Sequence, residues 1–92
     1  MWKTYRPLQP VVQFKAIQFT GENCPLVAGV VVANGGCLDS WGMDPMGWYM
    51  IIGTPPVHWA VRETDWVLYD GYDQWIVESD KSFREKYEEV ST

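Results

Sequence analysis

Cys24, Cys37 and His58 are the side chains of this sequence best suited to nucleophilic chemistry, which would need a thiol within hydrogen-bond reach of the imidazole. Their spacing does not join them. His58 lies in Val57-His58-Trp59-Ala60-Val61, where strand alternation sets it on the face opposite Val57, Trp59 and Val61. A single histidine excludes a histidine metal cluster, and two cysteines without close paired spacing make neither a zinc site nor a disulfide framework. Asp65, Asp70 and Asp73 crowd one turn region but lack the ligand alternation and fixed glycine of an EF-hand loop. Aspartates there serve as turn residues, through local hydrogen bonds. Gly35, Gly36, Gly42 and Gly47 form no GxGxxG or GK[ST] phosphate fingerprint. The expectation is a chain with no catalytic residue, no metal and no cofactor.

Binding is a better prospect. Six tryptophans are the unusual feature of the composition. Trp59, Trp66 and Trp75 fall in strand-like runs and read as core. Trp41, Met43, Met46, Trp48 and Tyr49 instead flank a segment punctuated by Gly42, Pro45 and Gly47. Aromatic and methionine side chains on a loop suit an interaction surface or a pocket lining. The competing reading folds the same loop back as a lid over a small core.

A chain of 92 residues has room for one domain, here taken as residues 1–92 with residues 1–11 as an extended arm. With 47% hydrophobic and 21% charged residues it carries enough apolar surface to offset the entropy of ordering. Lys3, Arg6, Pro7 and Pro10 interrupt the apolar residues after Met1, so no signal peptide is expected. The run Leu26 to Ala33 falls far short of the ~20 residues that span a bilayer. These readings predict a cytoplasmic protein with two buried, reduced cysteines and no membrane partner. The net charge is −5 and unevenly spread: residues 1–20 carry +3, residues 21–62 carry −2 and residues 63–92 carry −6. An acidic half argues against nucleic acid, whose phosphates demand clustered Lys and Arg.

The elements that position these residues read as α+β. Val12 to Phe19 predicts a strand. Val12, Phe14 and Ala16 alternate while Ile17 and Phe19 fall on the other parity, which requires a bulge near Ala16 or a strand covered on both faces. Asn23 as cap, Pro25 in the first turn and the stop Asn34-Gly35-Gly36 predict a short helix through Leu26 to Ala33, with a buried valine strand as the alternative. Cys37 to Gly47 reads as irregular. Strands are expected at Trp48 to Ile52, Val57 to Val61, Trp66 to Tyr69 and Gln74 to Glu78, the last two as a hairpin across Asp70-Gly71. A C-terminal helix begins near Ser82, with Ser79 or Asp80 as alternative caps, and sets Phe83, Tyr87 and Val90 in one apolar stripe. The sum is a small antiparallel sheet of about four to five strands with one short N-terminal and one C-terminal helix.

Tyr5-Arg6-Pro7 and Ala16-Ile17-Gln18-Phe19, then Thr64-Asp65-Trp66-Val67, Gln74-Trp75-Ile76-Val77 and Phe83-Arg84-Glu85-Lys86-Tyr87-Glu88 together resemble a group of small phage-encoded proteins. That group carries Pro-Gly-Asp-Trp before a hairpin and an ending like Phe-x-x-x-Tyr-Glu. This chain departs from it, having Glu63-Thr64 before Asp65-Trp66 and lacking a Tyr-Pro-Cys-Lys-Pro stretch after the hairpin. The resemblance implies a phage or prophage origin and carries no biochemical activity across.

Three functions follow as expectations. The leading one is a phage accessory protein that acts stoichiometrically, binding a host or phage protein, or itself, through Trp41 to Met50. The second is a small-molecule or nucleotide binder with an aromatic-lined pocket, in which Arg6, Lys15 and Arg62 meet phosphate. A cysteine–histidine enzyme comes last.

Overall fold

Phe14, Ala16, Ile17 and Phe19 are all buried, although a strand sends alternate residues to opposite faces. This segment needs a cover on each side, and the fold supplies both. The computed structural model describes residues 3–7, 14–54, 56–72 and 74–89. Its elements run β1 (Lys3–Pro7), β2 (Phe14–Gln18), α1 (Cys24–Ala33), β3 (Cys37–Asp44), β4 (Gly47–Thr54), β5 (Val57–Arg62), β6 (Trp66–Tyr69), β7 (Trp75–Glu78), α2 (Asp80–Lys86) and β8 (Tyr87–Glu89). One sheet has the order β7-β6-β2-β1-β8 and the other β3-β4-β5, with antiparallel pairing throughout. None of the described helices is long and apolar enough to cross a membrane.

The larger core lies between the sheets. Ile17 and Phe19 of the β2 segment meet Val27, Ala28 and Val31 of α1, Met50 and Ile52 of β4, Val61 of β5 and Val67 of β6. Cys24, Val27, Ala28 and Val31 recur at helical spacing, so α1 buries one stripe despite its valines. The second core lies on the far face of the five-stranded sheet, where Phe14 and Ala16 meet Leu68 and Phe83. Register along β2 and β6 is continuous from Lys15–Tyr69 to Gln18–Trp66. The parity break at Ala16 is therefore a strand covered on both faces, not a bulge.

The helix α1 stops where expected, at Asn34-Gly35-Gly36, with Gly35 at φ +94°. Asn23 is not its side-chain cap. Its Oδ1 instead accepts from Thr20 N at 2.8 Å and its Nδ2 donates to Gln18 O at 2.8 Å, tying the turn after β2. Ser79 caps α2, accepting from Ser82 N at 3.2 Å.

Three expectations are corrected. The described residues form eight strands in two sheets rather than four or five in one. Two of the additional strands form on β1: Lys3–Pro7, expected as an arm, pairs with β2 on one edge and takes Tyr87–Glu89 on the other. The helix thus ends at Lys86, and Tyr87 is already extended at φ −131°, ψ 152°. Tyr87 still stacks on Phe83 at 5.3 Å, but from a strand, while Val90 and Val12 lie outside the described residues. Finally, Cys37 to Asp44 is a strand and not an irregular segment. Its Gly, Asp and Ser residues have weak strand propensity, which pairing along β4 overrides.

Phe83 holds α2 to the sheet. It is 3% exposed, stacks on Trp66 at 4.0 Å and 9°, and takes the edge of Tyr5 at 4.8 Å. Truncation to Ala is expected to cost about 3–5 kcal/mol, a large part of a small domain's stability. Urea denaturation of Phe83→Ala beside wild type measures this, and a midpoint unchanged from wild type would show that α2 is dispensable.

Candidate functional site

The β3–β4 hairpin turns through Pro45 and Met46, with Gly47 at φ +112° beside Glu63. Its register opposes Trp41 to Met50, Gly42 to Tyr49 and Met43 to Trp48. Residues directly opposed share a face. Trp41, Met43 and Trp48 therefore line the face that continues into the core as Met50 and Ile52, and Tyr49 points the other way. Of the five residues expected to bind, the structure brings these three together, puts Met46 at the hairpin tip and separates Tyr49.

Trp48 is the anchored member. It packs against the larger core and lies over Gly21, where a Cβ would approach Trp48 Cδ1 to 2.5 Å. Gly21 also sits at φ +89°, so a glycine is needed there on both counts. The Trp48 amide donates to Glu63 Oε1 at 2.7 Å. Trp41 stacks on Trp48 at 6.2 Å and 23° yet is 54% exposed, with Met43 at 62% and Met46 at 82%. The apolar stripe thus begins in the core and runs out into solvent.

Tyr49 belongs to a different group. The Arg62 guanidinium lies 5.6 Å from its ring centre and donates to both Asp44 oxygens, at 2.8 and 2.7 Å. This fork holds the Asp44 carboxyl below the usual carboxylate range and raises Arg62 further. Arg62 is therefore engaged at the hairpin rather than open to a phosphate, and the Arg6 side chain lies outside the described residues.

On that same face, Cys37 and His58 are both opposed to Gly53, one from each side. Asp39 fills the space a side chain at Gly53 would take, and a Cβ there would lie 3.2 Å from Asp39 Oδ2 and 2.8 Å from Cys37 Sγ. The Cys37 thiol reaches Asp39 Oδ1 at 3.4 Å, and His58 Nδ1 meets Asp39 Oδ2 at 2.6 Å. Sequence spacing gave no sign of this convergence, because a β-bulge between Leu38 and Ser40 aims Asp39. The chemistry is the reverse of an activated nucleophile. Hydrogen bonding to the Asp39 carboxylate raises the Cys37 thiol pKa, so the thiolate is disfavoured. Cys24 is buried and Cys37 exposed, both as free thiols, which corrects the expectation of two buried ones. Among the described residues no group of three or more His, Cys, Asp or Glu is arranged to hold a metal ion.

Compared with family models, with curated proteins and with solved structures, the chain matches none.

A groove of about 450 Å³ lies on the far side of the five-stranded sheet. Tyr5, Trp66, Phe83, Tyr87 and Arg84 line it. Asp80 organises its rim, accepting from Trp66 Nε1 at 2.9 Å and from Arg84 Nε at 3.0 Å, and these donors lower its pKa.

Two titrations check these electrostatics. Cys37 is expected to alkylate with iodoacetamide more slowly than free cysteine at pH 7, and Asp39→Asn to speed it; a Cys37 faster than free cysteine would revive the nucleophile. Asp44 is expected by NMR to titrate below ~3.9 and to return to that range in Arg62→Gln. The stabilisation tied to this pair is present above the unfolded carboxyl pKa. It is lost as pH falls through the depressed folded value.

Proposed function

We propose that this protein is a non-catalytic module that binds a protein partner through Trp41, Met43, Met46 and Trp48, acting stoichiometrically. The observation that carries the reading is the exposed Trp41 stacked on a core-anchored Trp48, extended by two exposed methionines. Solvent-facing Trp and Met side chains are depleted on ordinary surfaces and enriched where partners dock. Because Trp48 is fixed by Gly21 and the core, Trp41 is held in place by stacking, which lowers the ordering cost of association. A phage accessory role, as the motifs at both ends imply, is consistent with such a module.

A small-molecule reading is supported by the aromatic groove at Tyr5, Trp66 and Phe83, where the terminal nitrogens of Arg84, whose Nε is held by Asp80, would face an anionic group. A rise in melting temperature with nucleotides or aromatic acids, abolished in Arg84→Gln, would favour it.

For the leading reading, Trp41→Ala and Met46→Ala are expected to melt within about two degrees of wild type while losing partner capture from host lysate. An interface aromatic can carry about 2 kcal/mol, near a thirtyfold loss of affinity. Capture that survives both substitutions, or melting temperatures that fall as far as that of Phe83→Ala, would sink the reading.

A further inference from the structure

The strand β3 closes one edge of the three-stranded sheet, and among the described residues no strand lies beside its outer peptide groups. Successive residues of a strand point their N–H and C=O to opposite sides. The Trp48 amide is turned toward the β5 side, where Glu63 follows that strand, so the peptides of Gly47, Tyr49 and Ile51 face β3. Their partners Asp44, Gly42 and Ser40 consequently bond inward to β4. That leaves the peptide groups of Trp41 and Met43 directed out of the sheet.

We propose that this edge pairs with the same edge of a second copy, antiparallel, with a two-fold axis at Gly42. The inference deepens the binding-module reading by naming the partner of β3. In this register Trp41 opposes Met43 of the second copy as a hydrogen-bonded pair, and symmetry repeats the pair, so all four outward peptides are satisfied. Trp41 and Met43 share a face, so each tryptophan gains a methionine neighbour, a favourable sulfur–aromatic contact. The two Gly42 residues meet as the closely spaced, non-hydrogen-bonded pair, where the absence of side chains permits contact.

Charge allows the pairing. Asp44 is the one ionised side chain between Ser40 and Asp44, is already held by Arg62, and comes opposite Ser40 of the second copy. The bulge at Asp39 ends the seam before that carboxylate enters it. Of the devices that blunt exposed edges, lysine and proline are missing from Cys37 to Asp44, and the bulge between Leu38 and Ser40 confines the open edge to Ser40–Asp44. A seam of five residues is smaller than a standard interface of about 800 Å² per partner, so the dimer dissociates on dilution.

Light scattering of the wild-type chain tests the pairing directly. Weight-average mass is expected to rise from one chain toward two between about 10 μM and about 500 μM, a range set by a weak association. Met43→Lys, with an unchanged circular dichroism spectrum, is expected to stay at one chain. Register is read in a Cys37→Ser background with oxidised glutathione. Gly42→Cys sets two Cα atoms about 4.5 Å apart and is expected to form a covalent dimer, the new Cβ lying 3.3 Å from Tyr49 Oη. Ser40→Cys sets them about 13 Å apart and is expected not to. A monomer throughout the concentration range, or Ser40→Cys cross-linking as fast as Gly42→Cys, overturns the pairing. The binding-module reading is then still decided by capture with Trp41→Ala.

Discussion

The structure depends on β2 being buried on both faces. Alternation along Phe14–Gln18 and into Phe19 divides four apolar side chains into two pairs, and each pair seeds a core. Neither pair is large enough to stabilise a sheet against water alone. The Ile17–Phe19 side therefore gathers α1 and the three-stranded sheet, and the Phe14–Ala16 side gathers Phe83 from α2. Backbone bonds fasten this arrangement at the end of the strand, where Phe19 N donates to Asp65 O at 2.8 Å and Thr64 N donates to Phe19 O at 2.7 Å. Thr64 pays for this clasp with a φ of +74°, a backbone that a glycine holds freely and a β-branched residue does not.

The hairpin that carries the candidate surface is fixed by the same burial. Met50 and Ile52 are fully buried, which sets the register of β4 and with it the face of every residue from Trp41 to Trp48. Once Trp48 lies over Gly21, the neighbouring positions on that face extend beyond the helix and sheet that cover the core. Exposure of Trp41 and Met43 thus results from the hairpin being longer than the core it packs on. The opposite face follows a different chemistry, with Asp44–Arg62 at one end and Asp39–His58 at the other. Asp39 draws Cys37 and His58 together yet keeps the thiol protonated, so proximity here works against reactivity.

Local signals in the sequence marked several elements. Pro25 and Asn34-Gly35-Gly36 bounded α1, Asp70-Gly71 marked the β6–β7 hairpin, Ser79 was one of the caps open to α2, and the parity of Phe14 to Phe19 required either a bulge or cover on two faces. Each is a short-range effect: a fixed φ, a side-chain-to-backbone bond, or alternation along one strand. The aromatic and methionine composition of Trp41 to Tyr49 was likewise legible, though not the hairpin that carries it. Tertiary structure alone decided that Cys37–Asp44 and Tyr87–Glu89 are strands, that Tyr49 faces away from Trp41, and that Cys37 and His58 share a carboxylate. These outcomes rest on hydrogen bonding between segments far apart in the chain, where the register of one strand on another assigns both conformation and face. Neither propensity nor spacing carries that register, because it is set by which side chains the two cores can bury.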